Sequence, residues 1–212
     1  MIKTAITILL VISFSTSCKK HPFITLHNNK QIKIIALQPF GDFNDQQLVF
    51  IRNGISSVFH SRVIILKPVD IPVTYRGIGE EKYSADSLIM FLSKFTNDTI
   101  VDIVGLTHND IYTIREYETH EKNVPAVLFE PKGIFGYGYV SGNSCIVSDY
   151  RLMSIDQELL NNRLRKVIIH EIGHNLGLAH CAIDTCVMFE GDIPALDKCN
   201  GNFCNKCRWV LN

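Results

Sequence analysis

The sequence carries no excess of either charge, with 21 Lys and Arg set against 21 Asp and Glu over 212 residues. A balanced chain offers no basic field, which argues against a nucleic-acid partner and against attraction to anionic lipid headgroups. It has no internal repeat, which argues against a repeat architecture. It also has no low-complexity tract or single-sign charge run of the kind that marks a disordered interaction tail. No stretch reaches the run of about 20 apolar residues that a permanent membrane-spanning helix needs. What remains is a chain with 46% hydrophobic residues, long enough to bury one substantial core. One domain over residues 31–212, acting as a monomer, is the expectation.

The first residues depart from this pattern. Lys3, an apolar run from Ala5 to Phe14 and small residues ahead of Cys18 have the layout of a secretory signal over residues 1–17, followed by a polar tether at 18–30. Ser15-Thr16-Ser17-Cys18 resembles the loose lipobox of bacterial lipoproteins, although Ser15 stands where Leu is more usual. The resemblance implies lipidation at Cys18 and an exported protein anchored to a membrane, facing the periplasm or the cell exterior. The alternative is an ordinary cleaved signal, which leaves a soluble secreted protein.

Along the body of the chain, apolar periodicity predicts a buried strand over 31–37, closed by Pro39 and Gly41. A helix follows, capped near Asn44 or Asp45, with Leu48, Ile51, Ile55, Val58 and Phe59 on one face. Strand 62–66, helix 84–95 and strand 99–106 complete a β-α-β-α-β order, which predicts an α/β layer with a largely parallel sheet. Strands over 124–129, 134–140 and 144–147 imply at least one hairpin. From Ile155 the period becomes helical again, with Ile155, Leu159, Leu160, Leu164, Val167 and Ile168 facing inward.

That last helix ends in His170-Glu171-Ile172-Gly173-His174-Asn175-Leu176-Gly177-Leu178-Ala179-His180. His170 and His174 lie one turn apart on one face, so their imidazoles can converge on a single cation. A catalytic zinc takes three protein ligands and leaves its fourth position to water. On a continuing helix, His180 would lie too far along the axis to serve as the third. Gly177 removes this difficulty, because glycine can adopt the left-handed conformation that ends a helix and turns the chain back. Glu171, beside the first ligand, is placed to act as general base on the water and then to pass the proton to a leaving amine. Cys181 and Cys186 directly follow the third histidine, and Cys204 and Cys207 come later. Two thiolate pairs are the ligand set of a closed structural zinc site. Cys199 is an alternative ligand, and disulfides Cys181–Cys186 and Cys204–Cys207 are a competing account in an oxidising compartment. Cys145 reads as a small buried strand residue.

The run His-Glu-x-x-His-x-x-Gly-x-x-His-Cys-x-x-x-x-Cys-x-Met followed by Cys-x-x-Cys resembles the archaemetzincins, zinc metallopeptidases of the metzincin type. Pro39-Phe40-Gly41, Tyr83-Ser84-Ala85, the segment Gly105–Tyr112 and the segment Ser148–Leu152 agree with that family, so the similarity covers nearly all of residues 32–208. The resemblance implies a metzincin-type zincin fold: a twisted mixed sheet with two or three helices, and an active-site helix over the end of 31–176. A zinc-stabilised C-terminal subdomain over 177–212 follows. It implies two zinc ions per chain and a methionine on a tight turn beneath the catalytic one, the place of Met188. The fifteen residues between Met188 and Cys204 are fewer than the family usually has, so the path of that loop is left open.

The same resemblance implies a cleft in which a peptide or protein substrate lies extended against an edge strand, here within 134–140, with Tyr137 or Tyr139 lining it or else only packing the sheet. The function so read is zinc-dependent hydrolysis of peptide bonds. Two other classes stay open: a zinc amidase acting on a non-peptide amide, and a catalytically weak binding module stabilised by zinc.

Overall fold

The computed structural model describes residues 33–77, 81–118 and 127–211. The expected signal segment 1–17, the expected lipidation at Cys18 and the expected tether 18–30 lie outside the described residues. In chain order the elements are β1 (Ile34–Phe40), α1 (Asp45–Phe59), β2 (Arg62–Ile65), β3 (Tyr83–Ser84), α2 (Ala85–Ser93), β4 (Ile100–Thr107), β5 (Ile111–Glu118), β6 (Val127–Ile134), β7 (Gly136–Gly138), β8 (Ser144–Ser148), α3 (Gln157–Asn175), α4 (Ile193–Lys198) and α5 (Asn205–Leu211).

Five strands form the main sheet in the order β2-β1-β4-β8-β7. The first four are mutually parallel, and β7 runs antiparallel to β8 at the edge. Alternation along the strands assigns side chains to two faces. Ile35, Leu37, Val104, Leu106, Cys145 and Val147 pack against Leu48, Ile51 and Ile55 of α1 and Leu164, Val167, Ile168 and Ile172 of α3. Their neighbours Ala36, Phe40, Ile103 and Ile146 pack against Ala85, Leu88, Ile89 and Leu92 of α2. Helices on both faces account for the near-continuous apolar runs of these strands. A third cluster, with Ile169, Leu178, Met188, Phe203 and the cysteines, holds the C-terminal segment against the end of α3.

The expected parallel layer and hairpins are present, with several differences from the sequence reading. The first strand runs on through Pro39 and Phe40, in register with Leu106 and Thr107 of β4. The Pro39 carbonyl accepts from Val69 N on the β2 side, so the missing N–H falls where β2 has already ended. β5 was not expected as a strand. It belongs to a separate three-stranded sheet, β3-β5-β6, in which Ile114 is exposed, so its apolar signal is diluted by Arg115 and Glu116. β6 passes through Pro131 and Gly133 because it is the outer strand of that small sheet. Ile155 does not face inward. Asp156 caps α3 by accepting from Glu158 N and Leu159 N, so the helix begins one residue beyond the cap and Ile155 stays fully exposed. Among the described residues the helices number five rather than two or three, since α4 and α5 are too short to show a period in sequence.

Candidate active site

α3 ends as the sequence demands. Gly177 takes φ +93°, its N–H bonds to His174 O at 2.8 Å, and Leu178 N–H bonds to Gly173 O at 3.0 Å. This is a Schellman closure, which satisfies the last carbonyls and reverses the chain. The reversal brings His180 back over the helix: its ring centroid lies 5.3 Å from that of His170 and 4.8 Å from that of His174. One nitrogen from each of the three rings falls within 4.8 Å of the others.

The outer ring nitrogens fix the tautomers. His170 Nδ1 lies 2.7 Å from Val187 O, and His174 Nδ1 lies 2.7 Å from Leu178 O. A carbonyl only accepts, so each Nδ1 carries the hydrogen and each Nε2 presents a lone pair inward. The two inward Nε2 atoms stand 3.0 Å apart, close to the spacing of about 3.3 Å set by two imidazoles each about 2.0 Å from a tetrahedral zinc. Burial and the neighbouring His174 push His170 down to about 4, and burial pushes His174 down as well, so both rings are neutral at ordinary pH.

Glu171 is buried on the cleft side of α3, where desolvation raises its carboxyl to about 8 and the hydrogen bond from Gly138 N–H opposes that rise. The edge strand β7 passes directly over it. A Cβ at Gly136 would meet Glu171 Oε1 at 2.8 Å and Val167 Cγ1 at 2.9 Å, and one at Gly138 would meet Glu171 O at 3.0 Å. Both glycines are therefore required by close approach of strand to helix. The cleft beside them has a volume of about 550 Å³ and is walled by Thr113 and Arg115 of β5, Tyr137 and Tyr139, and Phe189 and Glu190.

Tyr139, expected either to line the cleft or to pack the sheet, lines it. Its hydroxyl donates to Asp86 Oδ1 at 2.6 Å, and Thr113 Oγ1 donates to Asp86 Oδ2 at 3.0 Å, so Asp86 at the start of α2 joins β5 to the chain beyond β7. Met188 is completely buried and lies against Gly173, where an added Cβ would collide with its sulfur. That places the thioether under the helix turn bearing His174.

Cys181, Cys186, Cys204 and Cys207 form a second cluster, with all four sulfurs within 4.8 Å of one another. Cys181 pairs with Cys204 and Cys186 with Cys207, each at 3.8 Å. Thiolates about 2.3 Å from one zinc stand about 3.8 Å apart along a tetrahedron edge, so the set fits such an ion. The Cys207 N–H draws Cys204 down to about 7, toward the thiolate a metal requires. The competing disulfides Cys181–Cys186 and Cys204–Cys207 are not formed; all four thiols are free, and sulfur–sulfur hydrogen bonds run across the two pairs. Cys199 is not in the cluster but is buried at the end of α4, on the cleft wall. Cys145 is a buried residue of β8, as expected.

The upstream motifs supply no ligand. They meet at the carboxyl end of the main sheet, where Phe40 registers with Thr107 and Thr107 with Ser148. Arg151 there grips Asp110 through two hydrogen bonds of 2.6 and 2.7 Å. Sequence reasoning missed three groups: Asp86, Glu190 beside His180, and the buried pair Asp102–Asn175, in which Asn175 Nδ2 donates to Asp102 Oδ1 at 2.9 Å. All three lie in or beside a quoted motif: Asn175 within the histidine run, Asp86 next to Ala85 and Glu190 two residues past Met188, but spacing alone did not mark their side chains.

Comparison with known proteins agrees with this geometry. The family model described as Peptidase family M54 matches residues 64–212. The archaemetzincin of Methanocaldococcus jannaschii is 32% identical over 175 residues, covering 82% of this chain and 89% of that protein. The crystal structure of the archaemetzincin from Archaeoglobus fulgidus, complexed with malonate, superposes with a TM-score of 0.66 at 26% identity, covering 84% of this chain and 99% of that one. That of Methanopyrus kandleri shares the fold, with a TM-score of 0.69 at 24% identity over 88% of this chain and 97% of the other. The chain thus belongs to peptidase family M54, the archaemetzincins, and is a zinc metallopeptidase.

Proposed function

We propose that the chain hydrolyses peptide bonds with a zinc ion held by His170, His174 and His180, and with Glu171 as general base. The observation that carries this reading is the convergence of three imidazoles beside a buried carboxylate on the floor of a cleft edged by β7. When bound, zinc acidifies a water and polarises the scissile carbonyl. Glu171 accepts the water's proton and returns it to the leaving amine. Burial alone disfavours its charged form, and a cation in the adjacent site favours it, so metal loading primes the base. β7 is the edge strand of the main sheet among the described residues, so its outer side is open to an extended peptide, and its glycines admit close approach.

A second zinc on Cys181, Cys186, Cys204 and Cys207 has a structural role in this reading, since the four thiols leave no open position. Export and lipidation at Cys18 rest on the pattern of residues 1–18. Fatty-acid labelling of wild-type cells but not of Cys18→Ser cells is the expected result.

Metal content and amide-bond cleavage on the same mature sample test the central claim. Two zinc per chain and loss of cleavage in a Glu171→Ala protein that keeps its metal are expected. Unchanged turnover in that variant would reject Glu171 as the base. Cleavage of cell-wall fragments but not peptides would turn the assignment to an amidase, and inertness at full zinc loading would leave a binding module.

A further inference from the structure

The three histidines differ in what holds their outer nitrogens. His170 and His174 donate to backbone carbonyls of Val187 and Leu178, both buried residues. His180 lies beyond the helix, its side chain is 44% exposed, and its Nδ1 faces a side chain: Glu190 Oε2, 3.0 Å away. Glu190 is in turn approached by Arg115 Nη2 at 3.5 Å, from β5 across the cleft. Arg115, Glu190 and His180 therefore form a chain from the cleft wall to the third ligand position.

We infer that Glu190 is a positioning residue for the third zinc ligand and that Arg115 braces it. The inference rests on the three-histidine site proposed above. Its physical content is an asymmetry. A carbonyl orients a ring by a neutral hydrogen bond, whereas a carboxylate at Nδ1 also feeds electron density to the ring and strengthens Nε2 as a donor to a cation. The first two ligands are rigid through α3 and its Schellman closure, so they need orientation only. The third sits on an exposed turn, where a free imidazole would sample several rotamers. Glu190 selects the rotamer that points Nε2 inward, and Arg115 keeps Glu190 from swinging into solvent. Because Arg115 and Glu190 both line the cleft, substrate lying over them shields the pair from water and strengthens it.

The test is zinc affinity, measured by competition with a chelator series on the full chain for wild type, Glu190→Gln, Glu190→Ala and Arg115→Ala. His170→Ala identifies which equivalent belongs to the histidine site. Replacement of the carboxylate by Ala is expected to weaken that equivalent 10- to 100-fold, the usual effect of losing a carboxylate partner of a ligating histidine. Gln keeps an acceptor oxygen and recovers part of the loss, and Arg115→Ala gives a smaller loss than either. The four-cysteine equivalent stays unchanged in all three, which a general loss of folding would not produce. If Glu190→Ala binds the histidine-site zinc within twofold of wild type, the inference is overturned. If His170→Ala removes no equivalent, the three-histidine reading itself fails, and the two failures are told apart.

Discussion

Asp102 and Asn175 offer the sharpest test of how the end of α3 is held. Asp102 is completely buried in β4 and accepts from Asn175 Nδ2, yet its second oxygen, Oδ2, has no partner, and neither does Asn175 Oδ1. Two orphaned acceptors on an already bonded carboxyl–amide pair need one proton, and burial, opposed by the Asn175 hydrogen bond, raises Asp102 from 3.8 to about 7. Protonation removes the buried charge and gives the pair a donor that it otherwise lacks. The nearby Cys145 thiol is pushed up by burial and adds no charge.

The folded pKa lies above the unfolded one. The contribution to stability is therefore complete below the unfolded value of 3.8, declines as pH rises, and levels off above about 7. Three pH units at 1.36 kcal/mol each set a ceiling of about 4 kcal/mol. Asp102→Asn keeps the shape and carries a permanent donor in place of the titrating proton. Urea unfolding of both proteins at pH 5 and pH 8, compared as a difference so that metal linkage shared by both cancels, is the assay. The variant is expected to gain on wild type by about 2 to 4 kcal/mol between the two pH values. A difference independent of pH would refute a neutral Asp102.

Other outcomes follow from the same geometry. Gly136→Ala places a methyl 2.8 Å from Glu171 Oε1, so it is expected to cost about 1 to 3 kcal/mol of stability and to lower peptide turnover at least about tenfold, read by urea melts and steady-state rates. Arg163 donates twice to Asp197 at 2.6 and 2.7 Å and also to the carbonyls of Leu152 and Met153, tying α3 to α4. Its replacement by Ala leaves the buried Leu152 carbonyl and the part-buried Met153 carbonyl and Asp197 carboxylate unmet, and should cost about 2 to 3 kcal/mol in denaturant unfolding. His108 is raised above 6.5, chiefly by its hydrogen bond to Asp149. The stability it contributes is present below 6.5 and fades as pH rises through the raised value. Asp149→Asn should return the NMR titration of His108 toward that of a free histidine, and no change would remove Asp149 as the cause.

The site was legible because its information is local. Two histidines one turn apart, a glycine three residues past the second and a histidine three further on specify a helix, a stop and a return. Cysteine spacing told the second cluster almost as well, though pairing could not be read until Cys181 met Cys204 across 23 residues. The parallel layer followed from alternating strand and helix periods. What was missed depends on distant contacts. β5 is half exposed and its pattern is mixed with charge, so its membership of a second sheet shows only in the pairing with β6. The Asp102–Asn175 bond joins residues 73 apart, and the isolated sequence gives no sign that a carboxyl would be enclosed in a strand of that composition. Ile155 misled because the helical period continued past a cap that overrules it.

His180 and Cys181 are consecutive residues, yet one belongs to the imidazole cluster and the other to the thiolate cluster. Ions at the two centres would share a single peptide unit as their only covalent spacer, on the far side of the chain reversal. In the proposed two-zinc arrangement, slackening of the sulfur knot by oxidation or chelation would reach the adjacent imidazole through that one peptide unit. In that same arrangement the cysteines would thus serve the hydrolytic chemistry as a tether for its third corner, His180.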